Sequence, residues 1–251
     1  GTTMQLNGGA YSTFTWTGPG SFNSNLQNPT QANTQIANAG IYTVSVTDAN
    51  GCVGSGTTNV VVNPLPIIAV THPTNCINST INLTSSGGVT YSWSGPNAYT
   101  SNLQNPTIPS AQLNMTGIYT VTVTDANNCV NTETASVTVF ALPSPTITSN
   151  SPVCVGNTLN LFSSGGSNYT WVGPGYSGTT LNPVITNVPM SAAGVYTLIA
   201  GVGTCTASST HTVVINPLPT PNIVTNSPVC LNFPINFTGS GGVSYSWSGP
   251  G

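Results

Sequence analysis

A six-residue block that recurs four times is the feature that most restricts what this chain can fold into. The block centres on Trp16, Trp93, Trp171 and Trp247, and each tryptophan is followed by Gly-Pro two residues later. The tryptophans are 77, 78 and 76 residues apart. A period of that length holds one small domain, so we expect a tandem array of similar repeats and not one large domain.

Two further blocks recur with the same period and set the phase of the repeats. A Gly-x-Tyr block follows the first three tryptophans, and a Leu-Pro junction closes each of these repeats. The chain begins and stops at positions that align with the interior of a repeat. We therefore expect four repeats, of which the two central ones are complete: residues 1–66 (lacking N-terminal strands), 67–143, 144–219, and 220–251 (lacking C-terminal strands).

The pattern within a repeat predicts strands. Apolar residues alternate with polar ones, and Gly, Pro, Asn and Ser clusters interrupt the pattern every 8–12 residues, as in all-β sandwiches. Size and order predict tandem immunoglobulin-like Greek-key β-sandwich domains in an extended rod, because each tryptophan falls on the third strand and Gly-x-Tyr resembles a tyrosine corner. The predicted core residues are Trp16, Trp93, Trp171, Trp247, Tyr42, Tyr119 and Tyr196. Leu83 and Val121 occupy the usual positions of the inter-sheet disulfide, so that bridge is absent.

The charge content excludes several functions. The chain has no Lys or Arg, three carboxylates and two His, and charged residues make up 1% of it. Without cations it has no phosphate clamp, so we expect no nucleic-acid partner. No apolar run approaches the ~18 residues of a membrane span, so we expect no membrane insertion. So few acid–base groups predict no enzyme, no catalytic residue and no cofactor.

Four features have a functional interpretation that competes with a structural one. Asp48 and Asp125 could bind calcium, but one carboxylate per repeat is too few, so both are expected to form turns. The tryptophans could stack on sugars, although their equivalent positions favour a core. Thr and Ser alternate along two strands and could bind ice or carry glycans, but they are also common on a solvated β-face: Thr43, Ser45, Thr47, Thr120, Thr122 and Thr124. His72 and His211 lack catalytic neighbours and are expected to be structural.

Six cysteines fall into two classes. Cys76, Cys154 and Cys230 precede the second strand of a repeat; Cys52, Cys129 and Cys205 follow its last hairpin turn. No Cys-x-x-Cys occurs, so we expect no metal site, and regular placement predicts disulfides in an oxidising setting. Two connectivities stay open. Pairing within a repeat joins Cys76–Cys129 and Cys154–Cys205.

The alternative connectivity joins neighbouring repeats through Cys76–Cys205. The strand connectivity of the immunoglobulin fold places the two cysteine classes at opposite ends of a sandwich, ~25 Å apart along a strand. A disulfide tolerates a separation of about 7 Å at most between its Cα atoms. The inter-repeat bridge is therefore favoured, and the outer cysteines would pair beyond the chain. The Pro-rich junctions are expected to be semi-rigid, with Leu65, Leu142 and Leu218 filling the seam between repeats.

Together these marks resemble a known family. The pattern Ser-Pro-Val-Cys, Tyr-x-Trp, Gly-x-Tyr-Thr, Cys-Thr-x-Ser and Asn-Pro-Leu-Pro is similar to the Ig-like repeats of very large Bacteroidetes-type surface proteins. Such proteins are commonly exported by the type IX secretion route and include gliding and attachment adhesins. The resemblance covers the whole chain and implies spacer domains without shared catalytic residues. Residues 200–205 depart from the family's usual Asp-x-Asn-Gly-Cys turn.

These observations lead to a functional hypothesis. We expect a disulfide-stabilised structural segment of the extracellular stalk or filament of a large bacterial cell-surface adhesin. Its partners would be neighbouring repeats of the same chain, and low charge would permit lateral self-association into filaments. Two alternatives are a spacer or carbohydrate-binding array of a secreted hydrolase and an ice-binding array.

Overall fold

The computed structural model describes residues 3–249 and is all-β over that range. It contains 24 short strands and four single-turn 3₁₀ helices, and no helix in this range is long and apolar enough to cross a membrane. The 3₁₀ turns are Ile36–Asn38, Pro96–Ala98, Leu113–Met115 and Met190–Ala192.

The strands follow the order of the sequence blocks. Those before residue 61 are β1 (Met4–Gln5), β2 (Thr13–Gly18), β3 (Phe22–Ser24), β4 (Thr30–Gln31), β5 (Gly40–Thr47) and β6 (Val53–Val60). The next seven are β7 (Thr74–Cys76), β8 (Ile81–Asn82), β9 (Thr90–Gly95), β10 (Tyr99–Ser101), β11 (Thr107–Ile108), β12 (Gly117–Thr124) and β13 (Val130–Phe140).

The remaining strands lie after residue 145. They are β14 (Thr146–Ser149), β15 (Val153–Cys154), β16 (Leu159–Ser164), β17 (Asn168–Gly173), β18 (Tyr176–Gly178), β19 (Val184–Ile185), β20 (Gly194–Val202), β21 (Cys205–Val213), β22 (Ile215–Asn216), β23 (Asn222–Thr225) and β24 (Phe237–Ser240).

The sheet order identifies an immunoglobulin-like sandwich. In residues 146–216, one sheet has the order β14-β16-β19 and the other β18-β17-β20-β21, while β15 pairs in parallel with β22. The four-stranded order recurs as β3-β2-β5-β6, and as β10-β9-β12-β13 with β7 added at the edge. Each tryptophan strand pairs with the Gly-x-Tyr strand in one register: Trp16 opposite Val44, Trp93 opposite Val121, and Trp171 opposite Leu198.

Alternation along the strands explains the cores. On β12, Tyr119, Val121 and Val123 are buried, whereas the intervening threonines are only partly covered. Because successive side chains of a strand point to opposite faces, one face packs inward and the other carries hydroxyls. The core around Trp171 is completed by residues from both sheets: Leu159, Leu161, Val188, Ala192, Tyr196, Leu198, Val213 and Ile215.

Contacts divide the chain into two compact units. Unit 1 comprises Gly1–Pro73, Ile81–Ile108 and Asn114–Thr138; unit 2 comprises Thr74–Thr80, Pro109–Leu113 and Val139–Gly251. These limits follow contact density and do not coincide with residues 66, 143 and 219, so the repeat boundaries stay a prediction.

Candidate functional site

The strongest candidate site is the set of turns and cysteines at the predicted repeat junctions. In the β5–β6 turn, Asp48 Oδ1 accepts the backbone N–H groups of Asn50 and Cys52, both at 2.8 Å. Asp125 repeats the arrangement in the β12–β13 turn at 2.8 and 2.9 Å, the second bond coming from Cys129. Aspartate favours such turns because its carboxylate bonds backbone a few residues ahead. The carboxylates therefore fix the backbone of the following cysteines.

These hydrogen bonds also affect ionisation. The pKa of Asp48 is lowered, first by the N–H of Cys52 and then by that of Asn50, because both bonds favour the charged form. Among residues 3–249 no three His, Cys, Asp or Glu side chains cluster as metal ligands do. The geometry of this carboxylate is that of a turn former.

The third turn, between β20 and β21, differs from the other two for a reason that the sequence alone did not indicate. Gly203 has φ +59°, and a Cβ there would overlap the ring of Phe140. Phe140 stands where the other two junctions have Asn63 and Asn216. The aromatic ring therefore takes the space that a longer turn would need, and only glycine permits the approach. The signal in the sequence was the departure at residues 200–205 together with this one Phe.

Within unit 2, a disulfide joins Cys76 at the end of β7 to Cys205 at the start of β21. The Cα–Cα distance is 5.6 Å, the sequence separation is 129 residues, and Cys205 is buried. The bridge crosses the predicted boundary between the second and third repeats. It is the inter-repeat connectivity favoured above, and Cys205 is accordingly not joined to Cys154.

Strand geometry excludes the bridge within the third repeat. Cys154 pairs with Asn216, while Cys205 begins β21, eleven residues earlier. At about 3.3 Å per residue this places the two cysteines roughly 35 Å apart along the strand. A disulfide spans about 7 Å between Cα atoms at most, so only a neighbouring repeat can reach Cys205.

Four cysteines carry free thiols in the structure. Cys52 and Cys230 are exposed, and Cys129 and Cys154 are half-buried. In unit 1 the sulfur of Cys129 lies 4.0 Å from the carbonyl oxygen of Asn63.

Three of the four repeated tryptophans lie in cores and not on an open platform. Trp16, Trp93 and Trp171 are at most 3% exposed, and each indole Nε1 donates to a backbone carbonyl at 3.0–3.3 Å. The prediction that Trp247 is a core residue is wrong for this structure, since it is 50% exposed. The reason is that residues 220–249 contain no Gly-x-Tyr strand to pack on it.

The Gly-x-Tyr tyrosines form tyrosine corners. The hydroxyls of Tyr42, Tyr119 and Tyr196 each donate to the carbonyl oxygen four residues upstream, at 3.0–3.1 Å. Burial raises the pKa of all three phenols, because desolvation disfavours the phenolate. The junction leucines do not fill the seam as expected: Leu65, Leu142 and Leu218 are 46–60% exposed.

Rows of hydroxyls run across the outer side of the sheet formed by β3, β2, β5 and β6. Thr43 lies opposite Thr17 and Thr57, and Ser45 lies opposite Thr15 and Ser55. Similar rows cross the second sheet. In the third sheet Ile199 and Val172 interrupt them. The predicted hydroxyl rows are therefore present in the first two of these sheets and are interrupted in the third.

No protein-family model matches the chain, and no curated protein does. Solved structures of low identity do match. Drosophila OTK extracellular domains 3–5 share 10% identity, with TM-score 0.45 over 86% of this chain and 92% of that one. Murine CEACAM1b shares 12%, with TM-score 0.43 over 60% and 100%.

A further match is the three N-terminal domains of the bacteriophage RB49 Highly Immunogenic Outer Capsid protein, Hoc, with 16% identity and TM-score 0.42 over 83% of this chain and 88% of that one. With TM-scores of this size, the assignment to the immunoglobulin-like fold rests on the strand order described above.

Proposed function

We propose that this chain is a structural, non-enzymatic segment of an extracellular multidomain protein, and that it acts as a disulfide-stapled spacer in the stalk or filament of a large surface adhesin. The observation that carries the proposal is the Cys76–Cys205 bridge across a predicted repeat boundary. A disulfide persists in oxidising compartments, which supports an extracellular location. A bridge between repeats stabilises the junction, which is what a spacer requires.

The acid–base groups support a non-enzymatic role, because each has a structural partner. Asp48 and Asp125 hold their own turns. Glu133 Oε1 accepts the backbone N–H of the next residue at 2.9 Å. The Nδ1 of His72 lies 3.1 Å from the hydroxyl of Ser136 on β13, and the Nε2 of His211 lies 2.9 Å from the hydroxyl of Ser149 on β14. Acid–base catalysis needs such groups directed at a common substrate position, and here they serve separate strands.

Small-angle X-ray scattering of the purified chain tests the spacer proposal. A compact globule of this length would have a radius of gyration of about 18 Å, and a spacer is expected to exceed that clearly. The Cys205→Ser variant should lower the thermal midpoint, whereas the matched control Cys154→Ser should not. A compact particle, or a bridge whose loss leaves stability unchanged, would contradict the proposal.

The hydroxyl rows favour a second candidate, an array that binds ice or carbohydrate. The rows at Thr43 and Ser45 extend over three strands. In the third sheet Ile199 interrupts the row, and this interruption argues against a binding face shared by all repeats. Thermal hysteresis or glycan-array binding that is lost in Thr43→Val would support this candidate, and absence of both signals would exclude it.

A further inference from the structure

The turn between β5 and β6 carries an Asn-Gly pair on the surface. Asn50 and Gly51 are both exposed, and a Cβ at Gly51 would meet no atom within 4 Å. Asparagine is a thermolabile residue, because the backbone nitrogen of the next residue can attack its side-chain carbonyl carbon. A side chain on that next residue hinders the attack, and glycine has none. The pair therefore combines the reactive sequence with open space for the ring that the attack forms.

The carboxylate of Asp48 lies beside both reacting groups. Its Oδ1 accepts the N–H of Asn50 at 2.8 Å. The pKa of Asp48 is lowered first by the N–H groups of Cys52 and Asn50, and then, less strongly, by the side chain of Asn50 and the N–H of Gly51. The side-chain amide of Asn50 and the backbone nitrogen of Gly51 therefore meet around one carboxylate. The turn holds the attacking nitrogen close to the carbon that it attacks.

The chain has one other Asn-Gly pair, Asn7–Gly8, and the fold protects it. Gly8 is buried, and a Cβ there would overlap both backbone and an aromatic ring. Its N–H donates to Oδ1 of Asn28 at 3.2 Å. The same bond recurs at 3.0 Å from the N–H groups of Ser85 and Ser163 to the equivalent asparagines, so it belongs to the fold of every repeat. The nitrogen of Gly8 is therefore not free to attack.

The turn between β12 and β13 has the same geometry without the glycine. Asn127 takes the position of Asn50, and its N–H also donates to an aspartate Oδ1 at 2.8 Å. The next residue is Asn128, with φ +61°, where the first turn has Gly51 with φ +85°. Asparagine tolerates this left-handed conformation, but its side chain hinders the ring closure. The two turns thus differ at the one position that controls the reaction.

The exposure of the asparagine is a property of the turn. Asn131 Nδ2 donates to the carbonyl oxygen of Pro66 at 3.0 Å, so residues of the predicted preceding repeat lie beside the second turn. Asn127 and Asn128 are exposed all the same. Residues packed at this end of a repeat leave the tip of the turn in solvent, and the same holds for the tip that carries Asn50.

We propose that Asn50–Gly51 is a site of spontaneous, non-enzymatic deamidation in the folded chain. The backbone nitrogen of Gly51 bonds to the side-chain carbonyl carbon of Asn50 and gives up its proton, which leaves with the side-chain nitrogen as ammonia. Water then opens the succinimide ring at either carbonyl and produces aspartate or isoaspartate. No oxidant or reductant is needed. This modification goes beyond the proposed spacer function.

The product changes the turn in two ways. Isoaspartate lengthens the backbone between Asp48 and Cys52 by a methylene group, and Asp48 Oδ1 now accepts the N–H of Cys52 at 2.8 Å across that stretch. The longer link moves this N–H away from the carboxylate. Either product also adds a negative charge beside Asp48, in a chain whose net charge is −3, and like charges oppose each other's ionisation. The backbone before Cys52 is therefore expected to loosen.

The test is incubation of the purified full chain at mildly alkaline pH, because the attacking nitrogen must lose its proton. Chymotryptic peptides are then analysed by liquid chromatography and mass spectrometry with fragmentation that distinguishes isoaspartate. The peptide with Asn50 should convert into aspartyl and isoaspartyl forms, while those with Asn7 and Asn127 stay unmodified. In the isoaspartyl chain the amide of Cys52 should exchange its hydrogen about tenfold faster, as for loss of a bond to a charged group.

Reciprocal variants separate the turn from the rest of the chain. Gly51→Asn should stop the reaction, and Asn128→Gly should transfer it to Asn127; each variant places in one turn the residue that the other turn already carries. In denaturant Asn7 should react as fast as Asn50, because only the fold protects it.

Three results would overturn the proposal: an unmodified Asn50, continued reaction in Gly51→Asn, or equal rates at Asn7 and Asn50 in the folded chain. None of them involves the Cys76–Cys205 bridge, so the spacer function would stand.

Discussion

Reduction of the Cys76–Cys205 bridge should change how far the chain can be stretched. The bridge joins residues separated by 129 positions, with Cα atoms 5.6 Å apart. A force applied at the two chain ends therefore bypasses residues 77–204 while the bridge is intact. At about 3.5 Å per residue, breaking it releases about 450 Å of additional contour length. Unfolding of the cores without reduction releases none of this length.

Single-molecule force spectroscopy with handles at both chain ends measures this length. The oxidised chain should extend to a limit about 450 Å shorter than the same chain in reductant. Cys76→Ser and Cys205→Ser should each give the longer limit without reductant, while Cys154→Ser should keep the shorter one. Equal limits with and without reductant would show that the bridge does not form, and the reasoning from strand geometry would be refuted.

Three smaller predictions follow from single contacts. Gly203→Ala should lower the unfolding free energy by about 1–3 kcal/mol, since its Cβ meets Phe140 at positive φ; Gly54→Ala, with open space around it, is the control for chemical denaturation. Tyr196→Phe should cost about 1 kcal/mol. Burial raises the pKa of this phenol in the folded chain. The stabilisation that the protonated phenol provides should therefore be complete below the pKa of the unfolded chain, near 10, and should be lost as the pH rises through the higher pKa of the folded chain. NMR titration should find the pKa of Asp48 below that of an unstructured aspartate, and its support for the turn should vanish as pH falls through that lowered value.

The sequence predicted what depends on local pattern. Alternation placed Trp93 and Tyr119 on inward faces, and both are buried. It failed for Trp247, because burial there requires a strand that residues 220–249 do not contain. The pattern identifies which face of a strand is apolar, but only the neighbouring strands decide whether that face is covered.

The junctions were less predictable, because they depend on contacts between residues far apart in sequence. The leucines were expected to fill the seam, yet they are exposed, and at the second junction Phe140 packs on Gly203. Neither residue is informative alone. Their joint departure from the other repeats is the only sequence signal, and its meaning required knowledge of which turn faces which strand end.

The position of the Cys76–Cys205 bridge explains how a chain almost without charge holds two of its predicted repeats together. Leu83 and Val121 occupy the usual bridge positions and are at most 1% exposed, so apolar packing already stabilises the core. A disulfide at these two positions would add little, because the packed core already holds the two strands together. At the junction, Cys76–Cys205 closes a loop of 129 residues. In the chain-entropy model a loop that long contributes about 5 kcal/mol. With no lysine or arginine for ion pairs, the covalent bond stabilises a junction at which Leu142 is 46% exposed.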